Sequence, residues 1–155
     1  MENSDGLPAS WSGGLRNTTF MIKDPVFLYV EDDPYSIKVM RMIFEKVMRI
    51  PTLIVFEGSD NFMQNLLELN TPPDVFLLDI QMKPYNGFEL LHMIRTDRRF
   101  RASKIVALTA SVMGEEVDQL KRSGFDGAIS KPIHITSFPS LINRVLNGEN
   151  IWFVS

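Results

Sequence analysis

A series of short, unbroken apolar runs, each stopping abruptly on polar residues, constrains this chain more than any other feature. Val26 to Val30 halts at Glu31-Asp32-Asp33, and Asp74 to Leu78 ends on Asp79. Ile105 to Leu108 ends on Thr109, and the short Ala128-Ile129 piece runs into Ser130-Lys131-Pro132. Runs this short lack the alternation of a strand with one wet face, so they read as strands buried on both faces. Thr52 to Phe56 is a further strand candidate. Between the strands the apolar spacing turns helical. Pro34 sits where proline opens a helix, and Ile37, Met40, Ile43, Phe44 and Val47 follow. A second helix carries Phe62, Leu66 and Leu67 and ends before Pro72-Pro73. A third, after the turn at Asn86-Gly87, carries Phe88, Leu90, Leu91 and Ile94. A fourth lies near Glu115 to Arg122 and closes at Gly124, and a fifth spans roughly Ser137 to Leu146.

Five strands alternating with five helices predict an α/β domain built on a five-stranded parallel sheet with helices on both faces. In open sheets of this kind, sites form at the carboxyl ends of the strands. Here that edge collects Glu31, Asp32, Asp79, Thr109 and Lys131 from distant parts of the sequence.

The chain length of 155 residues suits one domain. Residues 1–24, rich in Ser, Gly and Asn, are expected to form a flexible tail, with Trp11 a possible tether. Residues 25–148 are the expected domain, and 149–155 an apolar extension. Within that extension, Ile151-Trp152-Phe153-Val154 would be costly to leave in water. It is expected to fold onto the last helix, pair with another subunit, or begin a linker. A net charge of -3 gives no support to nucleic-acid binding. No apolar stretch approaches the ~20 residues that span a bilayer. With no leader pattern and no cysteine, the expected location is cytoplasmic, without disulfides or zinc-thiolate sites.

Three carboxylates gathered at one place repel unless a cation or shared protons relieve them. Oxygen donors without histidine or cysteine point to Mg²⁺ rather than zinc. Thr109 adds a hydroxyl and Lys131 a mobile positive charge. Such a set suits a carboxylate attacking phosphorus, with Asp79 as the nucleophile.

The order and spacing of Val30-Glu31-Asp32-Asp33-Pro34, Leu77-Leu78-Asp79-Ile80-Gln81-Met82, Ala107-Leu108-Thr109-Ala110 and Ile129-Ser130-Lys131-Pro132 resemble the response regulator receiver family, over about Pro25 to Gly148. The resemblance implies a doubly wound sheet of flavodoxin-like strand order 2-1-3-4-5. It implies that Asp79 accepts a phosphoryl group from a phosphohistidine on a histidine kinase or histidine phosphotransfer protein. Asp32, Asp79 and the backbone carbonyl of Gln81 would ligate Mg²⁺, with Glu31 acting through a metal-bound water. Thr109 and Lys131 would bind phosphoryl oxygens, the Lys131–Pro132 bond would be cis, and Ala110 would leave the site open to the donor. The output would be a switched interaction with a downstream protein, from a monomer or a homodimer. Such a domain is better described as signalling protein than as enzyme, although it catalyses its own phosphorylation.

The chain departs from the family's pattern in three respects. Lys83 stands where proline is frequent, with Pro84 following, and Ala128 stands where an aromatic is usual. Gln81 and Ser111 occupy positions that tune dephosphorylation. The rival readings are an aspartyl-phosphate enzyme, which commonly has a second acid where this chain has Gln81, and a receiver-like module that binds partners without phosphate. Asp33 reads as a helix cap, His92 and His134 as structural, and Arg95, Arg98, Arg99, Arg101 and Lys104 as a solvated basic loop.

Overall fold

The computed structural model describes residues 24–111 and 113–153. The expected tail with Trp11, and Val154 at the other end, lie outside the described residues.

Six parallel strands form one sheet in the order β2-β1-β3-β4-β5-β6: β1 Phe27–Val30, β2 Leu53–Phe56, β3 Val75–Asp79, β4 Lys104–Thr109, β5 Gly127–Ser130 and β6 Ile151–Phe153. Five α-helices connect them: α1 Pro34–Met42, α2 Phe62–Leu67, α3 Gly87–Arg95, α4 Gly114–Ser123 and α5 Phe138–Leu146. α1 runs on into a wider π-type turn over Ile43–Met48, which ends at left-handed Arg49. The doubly wound architecture and the order 2-1-3-4-5 are as expected, with one addition. The sheet has six strands rather than five, because the C-terminal apolar run pairs beside β5.

Side chains alternate across each strand and so divide the core into two layers. Phe27 and Tyr29 of β1 face one side with Ile37, Met40, Phe44, Leu141 and Ile142, where α1 and α5 pack. Leu28 and Val30 face the other with Phe62, Leu66, Leu90, Ile94 and Leu120, where α2, α3 and α4 pack. Burial on both faces is why the strands read as continuous apolar runs. β6 follows the same rule: Ile151 enters the first layer and Trp152 the second.

Gly127 explains how β6 fits. A Cβ there would meet the Ile151 carbonyl oxygen at 2.6 Å and its amide nitrogen at 3.3 Å. Glycine in a strand often marks such a close backbone approach. Trp152 pairs in register with Ala128, and the Lys121 ammonium lies 5.3 Å from its ring centroid. Lys104 Nζ donates to the Asn150 side-chain oxygen at 3.1 Å and the Gly148 carbonyl at 3.3 Å, tying down the connection into β6.

Candidate functional site

The sheet delivers its polar residues to one edge. β1 stops at Val30, and the Glu31 amide donates to the Phe56 carbonyl at 3.1 Å, so the acid stays tied to the ladder. Asp79 is the last residue of β3, which lies between β1 and β4. The Ile80 amide donates to the Leu108 carbonyl at 3.1 Å. Thr109 ends β4, and the Lys131 amide donates to the Thr109 carbonyl at 2.8 Å.

The loop after Asp79 is fixed at three points. The Gly87 amide donates to the Ile80 carbonyl at 2.9 Å. A Cβ at Gly87 would lie 2.7 Å from Ile80 Cδ1 and 2.9 Å from the Asp79 carbonyl oxygen, so α3 starts this close to the acid because residue 87 is glycine. Asn86 and Glu89 cap α3 reciprocally, each side chain accepting from the other's amide at 2.9 Å. Ser59, wholly buried in the β2–α2 loop, accepts from the Tyr85 amide at 2.9 Å. The Lys83–Pro84 and Lys131–Pro132 peptide bonds are both cis.

Glu31, Asp32 and Asp79 each bring a carboxylate oxygen within 4.8 Å of the others. Glu31 and Asp79 are buried, whereas Asp32 is exposed. Lys131 bridges the buried pair, with Nζ 2.9 Å from Asp79 Oδ1 and 3.3 Å from Glu31 Oε1. Glu31 has two further donors: the Tyr29 hydroxyl on Oε1 at 3.2 Å and the Asp33 amide on Oε2 at 3.2 Å. Burial raises the Glu31 carboxyl above its ordinary value of 4.5, and the charge of Asp79 adds to this; Lys131 and the Asp33 amide oppose the rise without cancelling it. Burial works against the Lys131 ammonium, but Asp79 and Glu31 outweigh it and hold the charge more firmly than usual. Burial also pushes the Tyr29 phenol far above its ordinary value, helped by Glu31, so it remains a donor.

The residues fit a hard divalent cation. All the donors are oxygens, no histidine or cysteine joins them among the described residues, and an exposed acid beside two buried ones allows an ion to enter with water still bound. Mg²⁺ would be held by Asp32, Asp79 and the Gln81 carbonyl, with Glu31 behind a water. The acids open onto a cleft of about 270 Å³ that Gln81, Ala110 and Lys131 also line.

Thr109 stands apart from the lysine bridge. Its hydroxyl donates to the Ser111 carbonyl at 3.2 Å and accepts from the Ser111 amide at 3.1 Å, closing a local turn. Asp33 caps α1, with Oδ2 accepting from the Ser36 amide at 2.9 Å and its hydroxyl at 2.6 Å. His92 and His134 are exposed. Much of the basic cluster is engaged within the fold: Arg95 pairs with Asp126 at 2.6 Å, Arg99 with Asp97 at 2.8 Å, and Lys104 holds the β6 connection.

Tyr29 and Ser59 were missed by the sequence reading. For Tyr29 a signal existed, since residues two apart on a strand share a face and Glu31 follows by two. Ser59 had none, because it lies in a loop whose partner is 26 residues away.

A doubly wound sheet with three carboxylates and a lysine at its carboxyl edge defines a class of α/β domain with an acidic site at the strand ends. Comparison with known proteins narrows the class. The family model of the response regulator receiver domain matches residues 27–143. The polar-differentiation response regulator DivK of Brucella ovis is 28% identical over 121 residues, covering 77% of this chain and 94% of that protein. Stress response regulator protein 1 of Candida tropicalis is 26% identical over 108 residues, and the match spans 70% of this chain but only 40% of that protein. Among solved structures, the chemotaxis response regulator CheY4 of Vibrio cholerae superposes with a TM-score of 0.70 at 18% identity, over 78% of this chain and 98% of that one. The chain belongs to the response regulator receiver family, the receiving half of two-component signalling. No helix among the described residues is long and apolar enough to cross a membrane.

Proposed function

We propose that the chain is a phosphorylation switch in which Asp79 accepts a phosphoryl group from a phosphohistidine donor, in a Mg²⁺-dependent reaction. The observation that carries this reading is a buried carboxylate whose Oδ1 is held by Lys131 at 2.9 Å, within a cluster of acids at the open sheet edge. Among the described residues no hydrogen-bond donor engages Asp79 Oδ2, which leaves that oxygen to attack. The new P–O bond forms as the P–N bond of the donor breaks, and its electron pair returns to the imidazole. Bound Mg²⁺ offsets the charge on the phosphoryl oxygens. Lys131 supplies a second positive charge, and the Thr109 hydroxyl reaches a phosphoryl oxygen once it releases Ser111. Exposed Ala110 leaves the approach clear. Water attack on the aspartyl phosphate resets the switch, so the chain acts as a signalling component rather than a turnover enzyme. Its partners are a histidine kinase or phosphotransfer protein and a downstream protein target, in the cytoplasm.

The test is intact mass after incubation with acetyl phosphate. Wild type gains one phosphoryl group only when Mg²⁺ is present, and Asp79→Asn gains none. A wild-type chain that stays unlabelled beside a labelled control receiver would sink the proposal and favour a module that binds partners without phosphate.

A further inference from the structure

β1 places Phe27, Leu28, Tyr29 and Val30 in the core, and Tyr29 is the one residue of the four with a polar side-chain atom. A phenol buried among apolar neighbours needs a partner. Tyr29, only 1% exposed, finds it in Glu31, donating to Oε1 at 3.2 Å. The same oxygen accepts from Lys131, whose ammonium is shared with Asp79.

That sharing matters once Asp79 is modified. On the reading that Asp79 is the phosphoacceptor, negative charge moves from its carboxylate onto phosphoryl oxygens, and Lys131 follows the charge. Glu31, only 1% exposed, then loses the cation from Oε1. A buried acceptor left without a donor carries its full desolvation cost, more so when it is charged. Tyr29 removes that cost. Its ring is fixed by packing, and its hydroxyl already donates to Oε1 at 3.2 Å. The Asp33 amide holds Oε2 in the same way.

We propose that Tyr29 is a positioning residue: its hydroxyl holds Glu31 in place as an oxygen partner for the Mg²⁺ shell while Lys131 moves to the phosphoryl group. Outer-shell partners of metal ligands are commonly worth ten- to a hundredfold in metal affinity, and an acid acting through water belongs at the low end. Tyr29→Phe keeps the ring and removes only the hydroxyl.

Titration calorimetry with Mg²⁺ reads the effect directly. Tyr29→Phe is expected to weaken Mg²⁺ about tenfold. Acetyl-phosphate labelling should slow by a similar factor at subsaturating Mg²⁺ and return to within about twofold of wild type at saturation, since the lost contact acts through metal binding. In a Glu31→Gln background the same substitution should change Mg²⁺ affinity by less than about twofold, because the hydroxyl works through the Glu31 charge. A purely structural role would lower the melting temperature of both backgrounds alike and leave Mg²⁺ affinity unmoved. That result overturns the proposal, as does an equal loss in both backgrounds. If Tyr29→Phe is too unstable to titrate, a fluorinated tyrosine at this position, a stronger donor, should tighten Mg²⁺ binding; no tightening overturns it. Failure of wild type to label overturns the phosphoacceptor reading alone, since the calorimetry needs no phosphate.

Discussion

Glu31 is the residue at which the site's electrostatics are most exposed to experiment. Its carboxyl is raised, first by burial and then by Asp79, so the Mg²⁺-free fold takes up that proton more readily than the unfolded chain does. A raised folded value contributes stability that is fully present below the ordinary 4.5 and is lost as pH climbs through the folded value. Glu31→Gln keeps the shape and removes the titration. In EDTA, the urea midpoint of Glu31→Gln should therefore gain on wild type as pH rises from about 4.5 to 7.5. A difference that stays flat would mean that Lys131 already neutralises the acid in the folded state. The acids, the lysine and the threonine were legible in the sequence because each lies within two residues of the end of an apolar run, and strand direction alone sends them to one edge. What the sequence withheld was their pairing. Nothing in the order of residues says that Lys131 bridges Glu31 and Asp79 while Thr109 turns to Ser111.

Among the elements, β6 is where sequence and structure differ most. Strands β1, β3 and β4 announced themselves by length and by their polar stops. Ile151-Trp152-Phe153 is as short as a chance apolar cluster, so folding onto a helix, pairing with another subunit and starting a linker were equally good readings. The cue lay elsewhere, in Gly127, whose missing Cβ admits the β6 backbone. Ala128 has Trp152 as its in-register neighbour, and both belong to the layer beneath α4. Burial of Ile151 alone is worth about 1.5–3 kcal/mol. Truncation after Asn150 should lower the urea-unfolding free energy by at least that amount while leaving a monodisperse folded domain. An unchanged midpoint would show that β6 does not hold to the sheet in solution.

For the whole molecule, the parallel α/β sheet followed from alternating strands and helices and its strand order from the family resemblance, and the TM-score of 0.70 to CheY4 fits that reading. The sixth strand lay beyond what period and composition alone can resolve. Stability and ion binding are linked at this scale, because a ligand that binds only the folded state adds RT ln(1 + [L]/Kd). At Mg²⁺ a hundred times above Kd the gain is about 2.7 kcal/mol. Wild type should therefore melt several degrees higher in saturating Mg²⁺ than in EDTA, by differential scanning fluorimetry, and Asp79→Asn should gain clearly less. Equal gains would place the ion away from Asp79.

β6 also settles which way the polypeptide is heading at Phe153. α5 returns the chain to the amino end of the sheet, and a parallel sixth strand then carries it across once more, towards the edge where Asp79 sits. A fluorophore or fused partner attached after this strand would accordingly depart from the same edge of the sheet as Asp79, with β4 and β5 between them.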